Sequence, residues 1–140
     1  MSTSAVDIVS DYYDALRRGD PLEPYFLEGD STVKFGISEA LFGYESVADA
    51  LREQTATTTD WRLESHRLVV RDGGEFATFA DDVTMAWRDT ESGDDREFET
   101  RWSGALVRTD GDRHTENDVD RDVPDWSFVT MHVSTGSDEL

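Results

Sequence analysis

The chain has 140 residues, no cysteine, and a formal net charge of −19 from 32 acidic and 13 basic residues. Nucleic acids and anionic membranes would repel so acidic a protein, and we expect neither as a partner. The lack of cysteine excludes disulfides, thiolate metal ligands and thiol nucleophiles.

The acidity itself admits three explanations: a disordered tail, a dedicated basic partner, or adaptation to molar salt. Aromatic residues are spread over the whole chain, which argues against general disorder. Acidic residues occur in nearly every block of ten rather than in one segment, which argues against one basic partner. We therefore favour an extreme halophile as the source, since molar salt screens repulsion between surface carboxylates beyond about 3 Å.

The first residues, MSTSAVDIVSDYY, contain neither a basic segment nor an uninterrupted apolar run. No later segment approaches the roughly 20 apolar residues that a transmembrane helix needs. These features predict a soluble, cytoplasmic protein.

The first part of the chain predicts three helices. Apolar residues recur at spacings of three and four between a capping Ser4 and a terminating Gly19. A second, short helix is predicted to start at Pro21. A short strand over residues 32–36 and a third helix over residues 44–54 follow.

Beyond residue 60 the hydrophobic period changes from about 3.6 to 2, which is typical of strands. Long strands are predicted at residues 61–71, 75–88, 97–109 and 125–134. The first changes phase partway, which predicts a bulge near residues 65–67.

Helices followed by strands indicate an α+β fold. We expect three helices followed by a strongly twisted, mainly antiparallel sheet, which can curl around the helices and leave a cavity between them. A single domain is predicted over residues 1–135, with a polar loop excursion at about 110–124 and a flexible tail at 136–140.

Two stretches carry a family resemblance: RWSGALVRTDG at residues 101–111 and DWSFVTMHVS at residues 125–134. Their arginine, aromatic, hydroxyl, Asp-Gly and His-x-Ser positions resemble those of SnoaL-like domains in the nuclear transport factor 2-like superfamily. The loop with Gly36, Glu39 and Gly43 is a second similarity. The resemblance covers essentially the whole chain. It implies three helices packed in the concave face of a strongly curved, mainly antiparallel sheet, giving a cone-shaped α+β barrel, and a homodimer formed through the outer face of the sheet.

Three residues are candidates for catalysis: His132, Asp81 and Arg101. Strict alternation places His132 on one face with Trp126 and Phe128, where an imidazole could transfer a proton. Asp81 alternates with apolar residues, and a carboxylate on such a face is a candidate acid or base. The neighbouring Asp82 is the alternative, since the sequence does not decide which of the two faces the pocket. Arg101 needs a carboxylate partner, which either orients a ligand or locks the sheet. The alternative is structural for all three: a hydrogen-bonded histidine, a paired aspartate and a structural ion pair.

Ligand-binding candidates are one loop carboxylate, Glu39, and several large aromatic residues. The aromatic candidates are Tyr12, Trp61, Trp102, Trp126 and Phe128. If these face inward they favour a flat, apolar or aromatic ligand, and otherwise they form core. The histidines lack metal-ligand spacing, and there is no phosphate-binding glycine loop or nucleophile elbow, so we expect no metal and no cofactor.

These observations leave three functions open. The first is a pocket protein that binds a small hydrophobic or aromatic molecule without catalysis. The second is a cofactor-independent isomerase, dehydratase or hydrolase that uses a His/Asp proton-transfer pair. The third is a homodimeric association domain.

Overall fold

The computed structural model describes residues 3–109 and 125–136. Two helices pack against one seven-stranded sheet. The helices are α1 (Ala5–Arg18) and α2 (Tyr44–Thr57), and the strands are β1 (Val33–Phe35), β2 (Ala40–Phe42), β3 (Thr58–Ser65), β4 (Val69–Asp72), β5 (Phe76–Asp89), β6 (Asp95–Arg108) and β7 (Trp126–Thr135). No helix in the described part of the chain is long and apolar enough to cross a bilayer.

The sheet has the order β2-β1-β7-β6-β5-β3, with β4 beside β3 on the same edge of β5. Neighbouring strands are antiparallel except β1 and β7, which are parallel. The sheet is therefore mixed and open: β2 lies at one edge and β3 with β4 at the other. An α+β fold with a curved sheet was expected, and it is confirmed, whereas a closed barrel is not observed.

The expectation of three helices is wrong. The predicted second helix is only a single 3₁₀ turn, Glu23–Tyr25, with Pro24 inside it. A proline has no N–H to donate, and the residue before it disfavours the helical region, so the turn does not extend. The first helix follows its prediction: the Ser4 side chain accepts the Asp7 N–H, and Gly19 ends the helix at φ 75°.

Two further expectations about strands need correction. The loop before α2 contains the short strand β2, which pairs with β1. The predicted strand over residues 61–71 is two strands, because the chain leaves the sheet after Ser65 and rejoins it at Val69. Ser65 pairs with Val83 and Val69 with Ala80, so one extra residue lies across this break, where the phase change near residues 65–67 was expected. A second irregularity, which was not expected, lies at residues 59–62, where Asp60 adopts φ 57°. The predicted excursion at 110–124 and most of the tail lie outside the described residues.

The core lies between the inner face of the sheet and the helices. Alternate residues of β5 from Ala77 to Met85 are buried, and the residues between them, such as Asp82, face outward. Trp126 and Phe128 are completely buried at the start of β7. This arrangement leaves an inner and an outer face on which the candidate residues can be placed.

Candidate functional site

A cavity of about 340 Å³ opens on the inner side of the sheet, between α1, the loop before β2, the end of α2 and strands β3, β5 and β6. We call it the aromatic cavity because five rings line it: Tyr12, Trp61, Trp87, Phe98 and Trp102. Its volume falls at the lower end of the range for small-molecule sites, roughly 300–1,000 Å³. The inner side of the sheet is therefore not completely filled by side chains.

Stacked rings form one wall of the aromatic cavity. The rings of Trp61 and Trp87 stack at 4.8 Å, and those of Trp87 and Phe98 at 5.5 Å. Trp87 and Phe98 come from neighbouring strands β5 and β6, and Trp61 comes from β3. A flat ligand ring can extend such a stack and gain contact area on its face.

The two cavity tryptophans that were predicted as ligand-binding residues are held in the same way. Trp61 donates its indole N–H to the Thr58 hydroxyl at 2.8 Å, and that hydroxyl donates to the Gln54 carbonyl at 2.5 Å. Trp102 donates to the Thr100 hydroxyl at 2.9 Å, and that hydroxyl donates to the Val83 carbonyl at 2.6 Å. Because each ring is fixed to the backbone through a threonine, the wall is oriented before a ligand arrives.

A charged pair lies at the same cavity. Lys34, on β1, has a side chain only 7% exposed, and its ammonium donates to Glu39 Oε2 at 3.1 Å. The Glu39 side chain is 38% exposed and comes from the loop between β1 and β2. The cavity therefore combines apolar rings with one buried cation and its solvent-accessible partner.

Tyr12 contributes a hydroxyl donor. The residue is buried and lines the cavity, and its hydroxyl has no acceptor among the residues that the structure describes. Burial, followed by the negative charge of Glu39, raises the pKa of Tyr12 above its ordinary value of about 10. The phenol consequently stays protonated at neutral pH and remains available as a hydrogen-bond donor.

The predicted ligand-binding residues divide into two groups. Tyr12, Glu39, Trp61 and Trp102 line the aromatic cavity. Trp126 and Phe128 do not, because both are fully buried in the core. The Trp126 ring packs against the Arg108 guanidinium, 4.5 Å from the ring centroid.

A bulge explains why His132 is not on the inner face with Trp126 and Phe128. Leu106 pairs with Phe128 and Ala105 pairs with Thr130, so Val129 is an extra residue in β7. The phase reverses there, and Met131 and Val133 point inward while His132 is exposed. Strict alternation across this strand was therefore the wrong assumption.

His132 and Arg101 instead line a groove on the outer face, together with Asp82 and Ser134. We call this the outer groove. Arg101 lies opposite Asp82 and Ser134 in the sheet, and the His132 ring contacts Phe35 at 5.7 Å. His132 and Arg101, two of the three predicted catalytic residues, are thus exposed on the face opposite the aromatic cavity.

Asp81 points the other way and is 5% exposed. Its carboxylate accepts hydrogen bonds from the Tyr13 hydroxyl at 3.0 Å, the Ser65 hydroxyl at 2.5 Å and the Arg67 N–H at 2.9 Å. One donor lies on α1 and the other two lie at the end of β3 and in the segment between β3 and β4. The carboxylate therefore links α1 to the place where the chain leaves the sheet. All three catalytic candidates line the outer groove, but Asp81 differs from His132 and Arg101 because it is buried and its carboxylate is held by these three donors.

Sequence reasoning missed several residues of the cavity: Lys34, Arg96 and Phe98. The available signal for Lys34 was that it is the single lysine of the chain. Its strand has only three residues, too few for alternation to show which face is buried. Within the described ranges, no group of three potential metal ligands converges.

Comparison with known proteins agrees with this architecture. The sequence profile of the SnoaL-like domain matches residues 6–136. A search of curated protein sequences finds no match.

Solved structures give the same fold at low sequence identity. A nuclear transport factor 2-like superfamily protein from Salmonella enterica serovar Typhimurium has a TM-score of 0.74 at 14% identity, covering 96% of this chain and 89% of that one. A proposed scytalone dehydratase from Novosphingobium aromaticivorans has a TM-score of 0.73 at 15% identity, covering 94% and 81%. A proposed calcium/calmodulin-dependent protein kinase II association domain from Xanthomonas campestris has a TM-score of 0.70 at 14% identity, covering 95% and 86%.

These structural likenesses concern the fold, which serves unrelated functions in different proteins. The profile match extends over nearly the whole chain, from α1 to the end of β7. The chain therefore belongs to the SnoaL-like domain family.

Proposed function

We propose that the protein binds a small aromatic molecule in the aromatic cavity. The observation that carries this proposal is the oriented wall of stacked rings beside about 340 Å³ of open space. A core that served stability alone would fill that space, since protein interiors are close-packed. The threonine contacts of Trp61 and Trp102 support binding further, because they lower the ordering cost on ligand entry.

Calorimetric titration with 2-naphthamide, a neutral two-ring probe, tests this proposal in molar KCl. Trp61→Leu should weaken binding by about tenfold, since it removes one face of the stack. His132→Ala, in the outer groove, is the matched control and should bind like the unaltered protein. Failure of 2-naphthamide to bind, or equal losses in both variants, would refute the aromatic cavity as the site.

One observation supports a second candidate, a cofactor-independent proton-transfer enzyme. The Tyr12 phenol and the Glu39 carboxylate are close enough for the charge of Glu39 to raise the pKa of Tyr12. In such a reaction Glu39 removes a proton from the carbon next to a carbonyl, the enolate oxygen accepts a hydrogen bond from Tyr12, and Glu39 returns the proton to carbon. This pair replaces the His/Asp pair expected from the sequence. Binding alone ranks first because Glu39 is already engaged with Lys34.

Exchange of the α-protons of 2-tetralone in D₂O, followed by NMR, tests this second candidate. Catalysis requires exchange above the buffer rate, and Tyr12→Phe and Glu39→Gln should each slow it about 100-fold or more. Exchange at the buffer rate in the unaltered protein would exclude proton transfer on this class of ketone and leave binding as the function.

For the assembly we propose a homodimer formed through the outer face of the sheet. Three exposed apolar side chains support it: Phe42, Val69 and Phe76, which are 64%, 57% and 59% exposed. Some structural neighbours are described as association domains, which agrees with an oligomeric role. Sedimentation equilibrium should give a dimer, and Phe76→Asp should shift it toward monomer. A monomeric unaltered protein would refute the proposal.

The net charge of −19 supports a further proposal, that the protein is adapted to molar salt. A cytoplasmic location stays a prediction.

A further inference from the structure

Lys34 is the feature of the cavity that apolar ligand binding does not require. It is the single lysine of the chain, and its side chain is 7% exposed at the cavity surface. An ammonium group has three N–H donors. One donates to Glu39, and the described part of the chain supplies no second acceptor. Two strong donors are therefore left beside open space.

We propose that Lys34 anchors an anionic group, such as a carboxylate, on an aromatic ligand, and that Glu39 occupies the position of that group in the unliganded protein. This inference rests on the proposed function, because it assigns the chemical class of the ligand to the same cavity. The aromatic part lies against the ring wall, and the anion binds at the Lys34 end.

The burial of the ion pair shows which partner can leave. Lys34 is held in β1 between β2 and β7, whereas Glu39 lies in the connecting loop and is 38% exposed. When a ligand carboxylate reaches Lys34, Glu39 can turn into water at little desolvation cost. The exchange of one carboxylate for another leaves the buried ammonium paired throughout.

Gly36 makes the resident position of Glu39 possible. A Cβ at residue 36 would lie 2.6 Å from Glu39 Oε2 and 2.7 Å from Glu39 Cγ. The Glu39 side chain therefore folds back over a glycine to reach Lys34. Any larger residue at position 36 would push Glu39 away from the ammonium.

Charges around the cavity entrance favour the same class of ligand. Arg96 points to the inner side at the start of β6, opposite Trp87, and no acidic partner for it occurs among the described residues. The nearby Asp89 carboxylate accepts the N–H groups of Glu91 and Ser92, so it is engaged in its own turn. In a chain of net charge −19, a cation in the cavity provides the local attraction that an anionic ligand needs.

Paired titrations with 2-naphthoate and 2-naphthamide, which differ in charge but hardly in shape, test the inference. The unaltered protein should bind naphthoate about tenfold more tightly than naphthamide. Lys34→Met should abolish this preference by weakening naphthoate binding about tenfold more than naphthamide binding, and a circular dichroism spectrum like that of the unaltered protein shows that the variant is folded. Glu39→Gln should strengthen naphthoate binding by about threefold or more, because the competing carboxylate is gone, and should therefore raise the ratio of naphthoate affinity to naphthamide affinity.

The outcomes separate the inference from the proposed function. If neither probe binds, the aromatic cavity is not a ligand site and both fail. If both bind equally, or if the preference for naphthoate survives Lys34→Met, the cavity binds aromatic molecules but Lys34 does not select an anion. Weaker or unchanged naphthoate binding in Glu39→Gln would refute the role of Glu39 as a resident competitor.

Discussion

Replacing Asp81 with alanine should destabilise the fold strongly, although sequence reasoning made this residue a catalytic candidate. The carboxylate accepts three hydrogen bonds, from the Tyr13 hydroxyl, the Ser65 hydroxyl and the Arg67 N–H. In Asp81→Ala the Ser65 hydroxyl can turn to water, but Tyr13, only 3% exposed, and the partly buried Arg67 N–H lose their acceptor. Each orphaned donor costs about 1–3 kcal/mol, which gives about 4 kcal/mol in total. That is a large part of the roughly 5–15 kcal/mol that stabilises a domain.

The adjacent Asp82 is the matched control because it points to the opposite, solvent-exposed face. Asp82→Ala should change the free energy of unfolding by no more than about 0.5 kcal/mol. Urea unfolding in molar KCl, followed by tryptophan fluorescence, measures both variants. Equal losses for the two substitutions would refute the reasoning, as would an additive effect of Tyr13→Phe in the Asp81→Ala background, since contacting residues should couple.

Three further predictions follow from packing, titration and charge. Gly104→Ala should destabilise the sheet by about 3 kcal/mol or more, because the new Cβ would lie 2.3 Å from the Thr130 carbonyl oxygen, whereas Gly29→Ala meets no atom within 4 Å and should be tolerated; thermal melts of the two variants decide. Burial raises the pKa values of Tyr12 and Tyr13, and the charge of Glu39 raises that of Tyr12 further, as the charge of Asp81 does for Tyr13. The two protonated phenols therefore contribute fully to stability below the unfolded pKa of about 10, and this contribution is lost as the pH rises above it. Phenolate absorbance should accordingly show these two tyrosines ionising only with unfolding, and ionisation of both in the folded state would contradict this. The melting temperature should rise strongly from dilute buffer to molar KCl, and a flat profile would exclude adaptation to salt.

The long helices and strands could be predicted from the sequence. Both long helices and the strands β5, β6 and β7 were predicted within a few residues, because each spans ten or more residues of strand-forming or helical sequence. The short strand β2 was missed because three residues show no period. The break after β3 was missed because it depends on a distant acceptor, Asp81.

The candidate site was predicted in part. Tyr12, Trp61, Trp102 and Glu39 were expected near a cavity, and the structure places all four around it. The side of the sheet on which His132 lies could not be derived, because the extra residue Val129 has no distinctive sequence signal. Such bulges are fixed by pairing with the neighbouring strand, and local alternation cannot reveal them.

Lys34 was missed for a related reason. A lysine in a very acidic chain is expected at the surface, where it offsets neighbouring carboxylates. Its burial follows from the position of β1 between β2 and β7, and that order depends on contacts far apart in the chain. The identity of the cavity cation therefore became visible only once the sheet was assembled.

The most direct test of the account is a crystal structure of the protein grown in molar KCl and soaked with 2-naphthoate. We expect density for the naphthalene ring against Trp61 and Trp87, with the carboxylate within hydrogen-bond distance of Lys34 and the Glu39 side chain turned toward solvent. Ligand density in the outer groove beside Arg101 and His132, with an unaltered Lys34–Glu39 pair, would contradict it.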